Sequence, residues 1–220
     1  MRSELNASTK GITETLIKGS IVYGIDCERC HGPAAAHVNY QLANPGEKKA
    51  KYIQLVSTLT QRQQLDMCAV CHSGNDKMKL GSRFKFRPGD DLDKFFADLN
   101  GQGRKTEFDV HGNQYRLLSE SKCFQGSRIM TCSSCHDPHR DANQGVAVYS
   151  QKCMTCHSEA NHNFCPMANS IGESIKTNCI DCHMPKKPSD AIQFTLAGKK
   201  EASAYMLRTH RIGVYGEGGK

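Results

Sequence analysis

The 220-residue sequence predicts a mostly α-helical and coil chain with little β structure, and three observations carry that expectation. Only 38% of the residues are hydrophobic and the mean hydropathy is −0.57, where an ordinary soluble domain is nearer half apolar. Twelve cysteines and ten histidines are present without one tryptophan. Ten of the cysteines fall into five copies of a single spacing, Cys-x-x-Cys-His. A chain this poor in side-chain core draws stability from disulfides, metals or cofactors. No stretch approaches the roughly 20 apolar residues that a crossing helix needs, so no membrane span is expected.

The five copies are Cys27-Glu-Arg-Cys30-His31, Cys68-Ala-Val-Cys71-His72, Cys132-Ser-Ser-Cys135-His136, Cys153-Met-Thr-Cys156-His157 and Cys179-Ile-Asp-Cys182-His183. This is the attachment spacing of haem c. The two thiols add to the porphyrin vinyl groups as thioethers. Two intervening residues set the sulfurs at the separation of those vinyls. The next residue, His31, His72, His136, His157 or His183, then binds iron from one face. One copy could arise by accident of composition, but five could not. Zinc sites also use paired cysteines, yet they do not explain a histidine at the following position in every copy. Thioredoxin-like redox sites carry one such pair beside a βαβ pattern, and no such pattern is visible.

Five haem c groups leave 44 residues for each. Burial at about 25 cal/mol per Å² of apolar surface then comes largely from porphyrin, and the low apolar fraction ceases to be anomalous. The formal charge of +7 invites a nucleic-acid reading. With two propionates each, five haems bring roughly −5 when ferric and −10 when ferrous. The Lys and Arg excess therefore reads as counter-charge, and no nucleic-acid partner is expected. Lys48, Lys49 and Lys51 read as a solvated face.

The elements follow in order. Residues 1–20 carry no motif and no apolar secretory stretch. Haem is attached outside the cytoplasmic membrane, so an exported chain is expected, periplasmic or extracellular at the cell surface, with a leader removed or upstream sequence missing. Gly32-Pro33 starts a helix over 33–43 that carries His37. Thr60 caps a helix over 61–72 that delivers the second motif. Residues 73–131 form the longest motif-free segment. Within it Arg83-Phe-Lys-Phe-Arg87 alternates as a short strand, and Pro88-Gly89-Asp90 turns. Residues 91–99 read as a helix with Leu92, Phe95, Phe96 and Leu99 on one face. Residues 112–123 read as another, with Tyr115, Leu118 and Lys122 on one side. Residues 146–157 deliver the fourth motif, and the Gly-rich 216–220 end is frayed. One domain over 1–220 with one small hairpin is expected.

Five histidines remain after the motifs: His37, His111, His139, His162 and His210. Five irons and five spare histidines suggest bis-histidine, low-spin haems that carry electrons and keep low potentials. Ligands of one iron stand on opposite porphyrin faces. His37, His139 and His162 lie six, three and five residues beyond His31, His136 and His157, too near to reach around the same ring, so each is expected to serve a neighbouring haem. Met67, Met154 and Met184, beside the motifs, read as packing. Cys123 and Cys165 are left over, and in an oxidising compartment a Cys123–Cys165 disulfide is expected.

The stretch Cys-Glu-Arg-Cys-His-Gly-Pro-Ala-Ala-Ala-His at 27–37 resembles the second-histidine pattern of a superfamily of multihaem c-type cytochromes. That group includes pentahaem nitrite reductases, octahaem hydroxylamine oxidoreductases and the tetrahaem cytochromes that take electrons from the latter. Cys-Ser-Ser-Cys-His-Asp-Pro-His at 132–139 and Cys-Ile-Asp-Cys-His-Met-Pro at 179–185 fit the same pattern. Asp109-Val-His-Gly-Asn-Gln-Tyr115 and Arg208-Thr-His210 look like its isolated second-ligand sites. The resemblance covers residues 20–215. It implies a chain wound around stacked haems, in parallel and perpendicular pairs, and the C-terminal part of a longer protein. Pentahaem nitrite reductases hold their active haem with a lysine in the motif, whereas all five motifs here end in histidine. The tyrosine that cross-links the hydroxylamine oxidoreductase haem has no clear counterpart.

The sequence thus favours an electron carrier over an enzyme. The partners it implies are other redox proteins or cytochromes, with a homo-oligomer or filament as a variant. The alternative is an enzyme with one five-coordinate haem reducing a small nitrogen or sulfur oxyanion, for which Tyr115, Arg116 and Lys122 near His111 would supply a cationic pocket.

Overall fold

The computed structural model describes residues 3–8, 11–19, 25–74, 77–98, 113–140 and 145–215, in two compact units, 1–55 and 56–220. It is mostly helix and coil, with small sheets only. The helices are short, and several are little longer than the motif they carry.

In the first unit, β1 (Ser3–Ser8) and β2 (Gly11–Leu16) form an antiparallel hairpin, with Ser3 opposite Leu16. Helix α1 (Cys27–His31) is the first motif itself. Asp26 caps it, its carboxylate accepting from the Arg29 amide at 3.2 Å. Gly32 ends it at φ +72°, where its amide donates to Glu28 O at 2.9 Å. The Glu28 carboxylate then accepts from the Ala34 amide at 2.8 Å, tying α1 to α2 (Ala35–Ala43). Helix α2 begins two residues beyond the expected proline start and carries His37.

In the second unit, α3 (Gln61–His72) begins as the sequence predicts. Thr60 and Gln63 form a reciprocal capping box. The buried face of α3 holds Leu65, Asp66, Ala69 and Val70. Asp66 is fully buried and is held by Arg62 Nε at 2.9 Å and by the Leu92 amide at 3.2 Å.

The expected strand at 83–87 is instead a 3-10 turn over Arg83–Lys85. Ser82 closes it, accepting from the Phe84 amide through Oγ at 3.3 Å and from the Lys85 amide through its carbonyl at 2.9 Å. The expected helix at 91–99 is also corrected. Leu92–Lys94 make a 3-10 turn, and the chain then extends as β4 (Phe96–Asp98) against β3 (Lys77–Lys79). Turn followed by strand still buries Leu92 and Phe96 on one side, as the helix would have. Ala69, Val70, Phe86, Leu92 and Phe96 form the core there, flanked by Met67, Phe95 and Tyr115.

The expected helix at 112–123 splits into α4 (Gln114–Ser119) and α5 (Lys122–Gly126). The break lies at buried Ser121, whose Oγ accepts from the Ile212 amide at 2.8 Å and lies 3.3 Å from His210 O. A bond to the C-terminal segment thus replaces helix continuation. Helix α6 (Gly145–Met154) stops before Cys156, earlier than expected. Helices α7 (Ala168–Ile171) and α8 (Ile180–His183) follow, with a 3-10 turn over Glu173–Thr177 between them. Strands β5 (Lys186–Phe194) and β6 (Ser203–Arg208) close the described chain as an antiparallel hairpin with a bulge between Pro188 and Gln193. The described residues therefore hold three two-stranded sheets rather than one hairpin. No described helix is long and apolar enough to cross a membrane.

Candidate haem-attachment sites

Each motif occupies one helical turn. The first lies in α1, and the second ends α3. In the third, the His136 amide donates to Cys132 O at 2.9 Å. In the fourth, the His157 amide donates to Cys153 O at 2.9 Å, and in the fifth the His183 amide to Cys179 O at 3.1 Å. A turn of this kind carries residues three and four apart on one side, so the two sulfurs and the imidazole share a face. None of the ten motif thiols is fully buried, as vinyl addition requires.

The imidazoles are oriented through the backbone. Nδ1 of His31 faces Gln54 O at 2.9 Å, while the Gln54 amide donates to His31 O at 3.1 Å. Nδ1 of His183 faces Gly213 O at 2.7 Å, and the Gly213 amide returns to His183 O at 3.2 Å. Nδ1 of His157 faces Asn163 O at 3.3 Å, and Nδ1 of His37 faces Lys51 O at 2.8 Å. A carbonyl only accepts, so Nδ1 carries the proton in these pairs and Nε2 is the basic nitrogen. That is the tautomer a metal-bound histidine adopts when a carbonyl supports it from behind.

His136 and His210 meet directly. Their ring centroids are 6.0 Å apart and their planes 25° from parallel. Two imidazoles on opposite sides of one metal, with bonds of about 2 Å, stand about 6 Å apart. Burial first, then the nearby His136 and His72, pushes His210 down to about 4, so its ring is neutral at pH 7. Its Nδ1 is buried without a hydrogen bond of good geometry.

The thiols are grouped in pairs. Cys68 is pushed up by its hydrogen bond to Cys132 and by burial, while Cys132 is held below the ordinary thiol range by the same bond. Burial, and then Cys179, pushes Cys153 up to about 12. The second and third motifs, and the fourth and fifth, therefore adjoin through their first sulfurs.

Porphyrin fits this donor set and its surroundings. Just before the first and third motifs in sequence stand apolar side chains that the polypeptide leaves open: Ile25 is 70% exposed and Ile129 86%. A flat apolar group would cover such side chains. Among the described residues, no three of Cys, His, Asp and Glu converge as a tetrahedral zinc site would need.

Other expected residues are not brought together. Cys123 and Cys165 are both free thiols, so the structure lends the expected disulfide no support. Cys156 acts electrostatically on Cys123, and Cys123 on Cys135 and Cys153, because α5 sets it beside the third and fourth motifs. His139 is exposed, with Nδ1 3.6 Å from the Asp137 carboxylate of its own loop. His162 is exposed at φ +53°, and His111 lies outside the described residues. Tyr115 packs on the core, and Arg116 pairs with Glu120 at 3.7 Å.

Sequence reading missed the groups that hold the imidazoles. They are the carbonyls of Lys51, Gln54, Asn163 and Gly213, and no side-chain pattern announces a carbonyl. It also placed Arg208 only as context for His210, not as a support of the fifth motif. This guanidinium donates to the Asp181 carboxylate at 2.7 Å and to Met184 O at 2.6 Å, gripping the fifth motif at both ends of α8.

No family model matches the chain, and no solved structure matches it. Over 152 residues it is 24% identical to the multiheme cytochrome MtrA of Shewanella baltica (strain OS185), covering 62% of this chain and 43% of that one. Over 202 residues it is 24% identical to the dissimilatory sulfite reductase MccA of Wolinella succinogenes, covering 80% of this chain and 24% of that one. The chain spans less than half the length of either relative. With five helical turns that each present two thiols and an imidazole, these distant likenesses support a place among the multihaem cytochromes c in the broad sense.

Proposed function

We propose that the chain is an exported electron-transfer cytochrome with five haem c groups, most of them held by two histidines. One repeated observation carries this reading: each of five turns offers two accessible thiols and an imidazole, and three of those imidazoles back onto a carbonyl. Bound haem supplies an iron that cycles between ferric and ferrous. The chain does the rest. Cys27, Cys30, Cys68, Cys71, Cys132, Cys135, Cys153, Cys156, Cys179 and Cys182 make the thioethers. His31, His72, His136, His157 and His183 bind iron from one face. His210 would share an iron with His136, and His37, His111, His139 and His162 are the candidates for the other irons. Cys68 adjoins Cys132 and Cys153 adjoins Cys179, so haems attached through these sulfurs would lie at neighbouring points, which would shorten electron hops. The partners are other redox proteins in the periplasm or at the cell surface. Attribution to the superfamily of pentahaem nitrite reductases rests on the motif contexts at 27–37, 132–139 and 179–185.

The test is intact mass with spectroscopy on protein made in a cytochrome-maturing host. Five additions of about 0.6 kDa each, only low-spin ferric signals and no carbon monoxide binding are expected. Zinc in place of those additions would sink the proposal. A second reading, a reductase of a small sulfur or nitrogen oxyanion, is favoured by the likeness to a sulfite reductase over 80% of the chain. One high-spin haem that binds carbon monoxide would select it.

A further inference from the structure

Among the described residues, only two other than glycine have a left-handed backbone, Tyr52 at φ +58° and His162 at φ +53°. Both stand beside a carbonyl that faces an imidazole Nδ1. Tyr52 directly follows Lys51, whose carbonyl meets His37 at 2.8 Å. It precedes Gln54 by two residues, and that carbonyl meets His31 at 2.9 Å. Asn163, whose carbonyl meets His157 at 3.3 Å, directly follows His162.

A tyrosine in this region of backbone space is disfavoured by its Cβ, so its surroundings must hold it there. They do so from the same short loop. The Tyr52 ring packs edge-on against Tyr40, with centroids 5.4 Å apart and planes at 68°. Lys51 Nζ donates to the Tyr40 hydroxyl at 2.9 Å and lies 3.6 Å from the Glu47 carboxylate. Helix α2 thereby grips the loop through Tyr40 on both sides of the Lys51–Tyr52 peptide. An extended residue at 52 would change the course of the chain between the Lys51 carbonyl, which meets His37, and the Gln54 carbonyl, which meets His31.

We infer that Tyr52 is a positioning residue, whose left-handed backbone aims the Lys51 and Gln54 carbonyls at two iron ligands, His37 and His31. The inference rests on the proposed haem function. A ligand histidine whose Nδ1–H is well bonded is the stronger base and favours ferric iron. One loop thus sets the electronic environment of two irons at once, one through its motif histidine and one through its second histidine.

The test replaces Tyr52 in the holoprotein by Gly, Asn, Ala and Val, in order of rising cost for a left-handed backbone. The readouts are haem count by intact mass, ferric g-values by EPR, and a spectroscopic redox titration. Tyr52→Gly and Tyr52→Asn should keep wild-type signals. Tyr52→Ala and Tyr52→Val should keep five haems but shift g-values at two of them, with both potentials moving up. The inference is overturned if Val leaves all signals unmoved, if Gly moves them as far as Val, or if one haem alone responds. Should Tyr52→Val fail to mature, the comparison of Gly with Ala decides by the same criteria. Wild-type protein without haem on Cys27 and Cys30 would instead sink the functional reading itself, whatever residue 52 does.

Discussion

His136 and His210 face one another with ring centroids 6.0 Å apart, although 73 intervening residues separate them in sequence. No local element produces this meeting. His136 is delivered by the turn of the third motif. His210 follows β6, whose last residue, Arg208, is tied to α8, and its own carbonyl lies against Ser121 between α4 and α5. Three separate parts of the chain converge on the pair.

If the pair brackets one iron, His210→Gly should turn one haem in five high-spin and open to carbon monoxide, while the thioethers and the intact mass stay unchanged apart from the side chain. Added imidazole should restore the low-spin signal. A variant whose haems all remain low-spin without imidazole would separate His210 from iron. His210→Met offers an independent check, because methionine bound to ferric iron gives its own near-infrared charge-transfer band.

Ser121 is the support behind that geometry. It is fully buried, and its Oγ is bonded to the Ile212 amide. Ser121→Ala should cost about 1 kcal/mol, because it leaves the part-buried Ile212 amide without its acceptor. Thermal unfolding should show it as a lower midpoint. The same variant should broaden the EPR signal of one haem, the one that Ser121→Ala shares with His210→Gly.

The motifs and the second-unit cap were legible in the sequence because both are local. Cys-x-x-Cys-His needs only one turn, and Thr60 with Gln63 satisfies the end of its own helix. The 83–87 strand and the 91–99 helix were misread because periodicity reports which residues are buried, not by what path. Leu92 and Phe96 are buried as expected, but a turn and β4 bury them, since β3 supplies a partner strand that the 91–99 window does not contain. The break at Ser121 was hidden for the same reason: its partner lies 91 residues away. The Cys123–Cys165 disulfide rests on elimination alone, and elimination does not show that α5 sets Cys123 beside the thiols of two motifs.

The ion pair on α3 should be asymmetric. Asp66 is fully buried, whereas the Arg62 side chain is about half exposed and also reaches Asp93 at 3.2 Å. Asp66→Asn leaves an arginine that water can solvate, at a cost of about 1 kcal/mol. Arg62→Ala strands a buried carboxylate that keeps the Leu92 amide as its donor, and about 3 kcal/mol is expected. Denaturant unfolding of the two variants checks the order. Equal losses would mean that Arg62 contributes packing rather than charge.

Acid sensitivity at the fifth motif should trace to Asp181. The Asn178 amide and then the Arg208 guanidinium hold its carboxyl below the ordinary value of 3.8. A carboxyl lowered on folding contributes stability that is fully present above its unfolded value and fades as pH falls through its folded one. The contribution is therefore intact at pH 5 and above and is lost progressively below about pH 4. Asp181 is more than half exposed, so solvent screening keeps the effect small. Asp181→Asn should be slightly less stable than wild type near neutrality, and the difference should narrow on acidification, as read by unfolding midpoints from pH 7 to pH 3. Arg208→Lys is the sharper probe. It keeps the charge but loses the planar fork that reaches both the Asp181 carboxylate and Met184 O. It should loosen α8 at every pH while the narrowing with acid is retained, and if Cys179 and Cys182 carry haem as proposed, the signal of that haem should change.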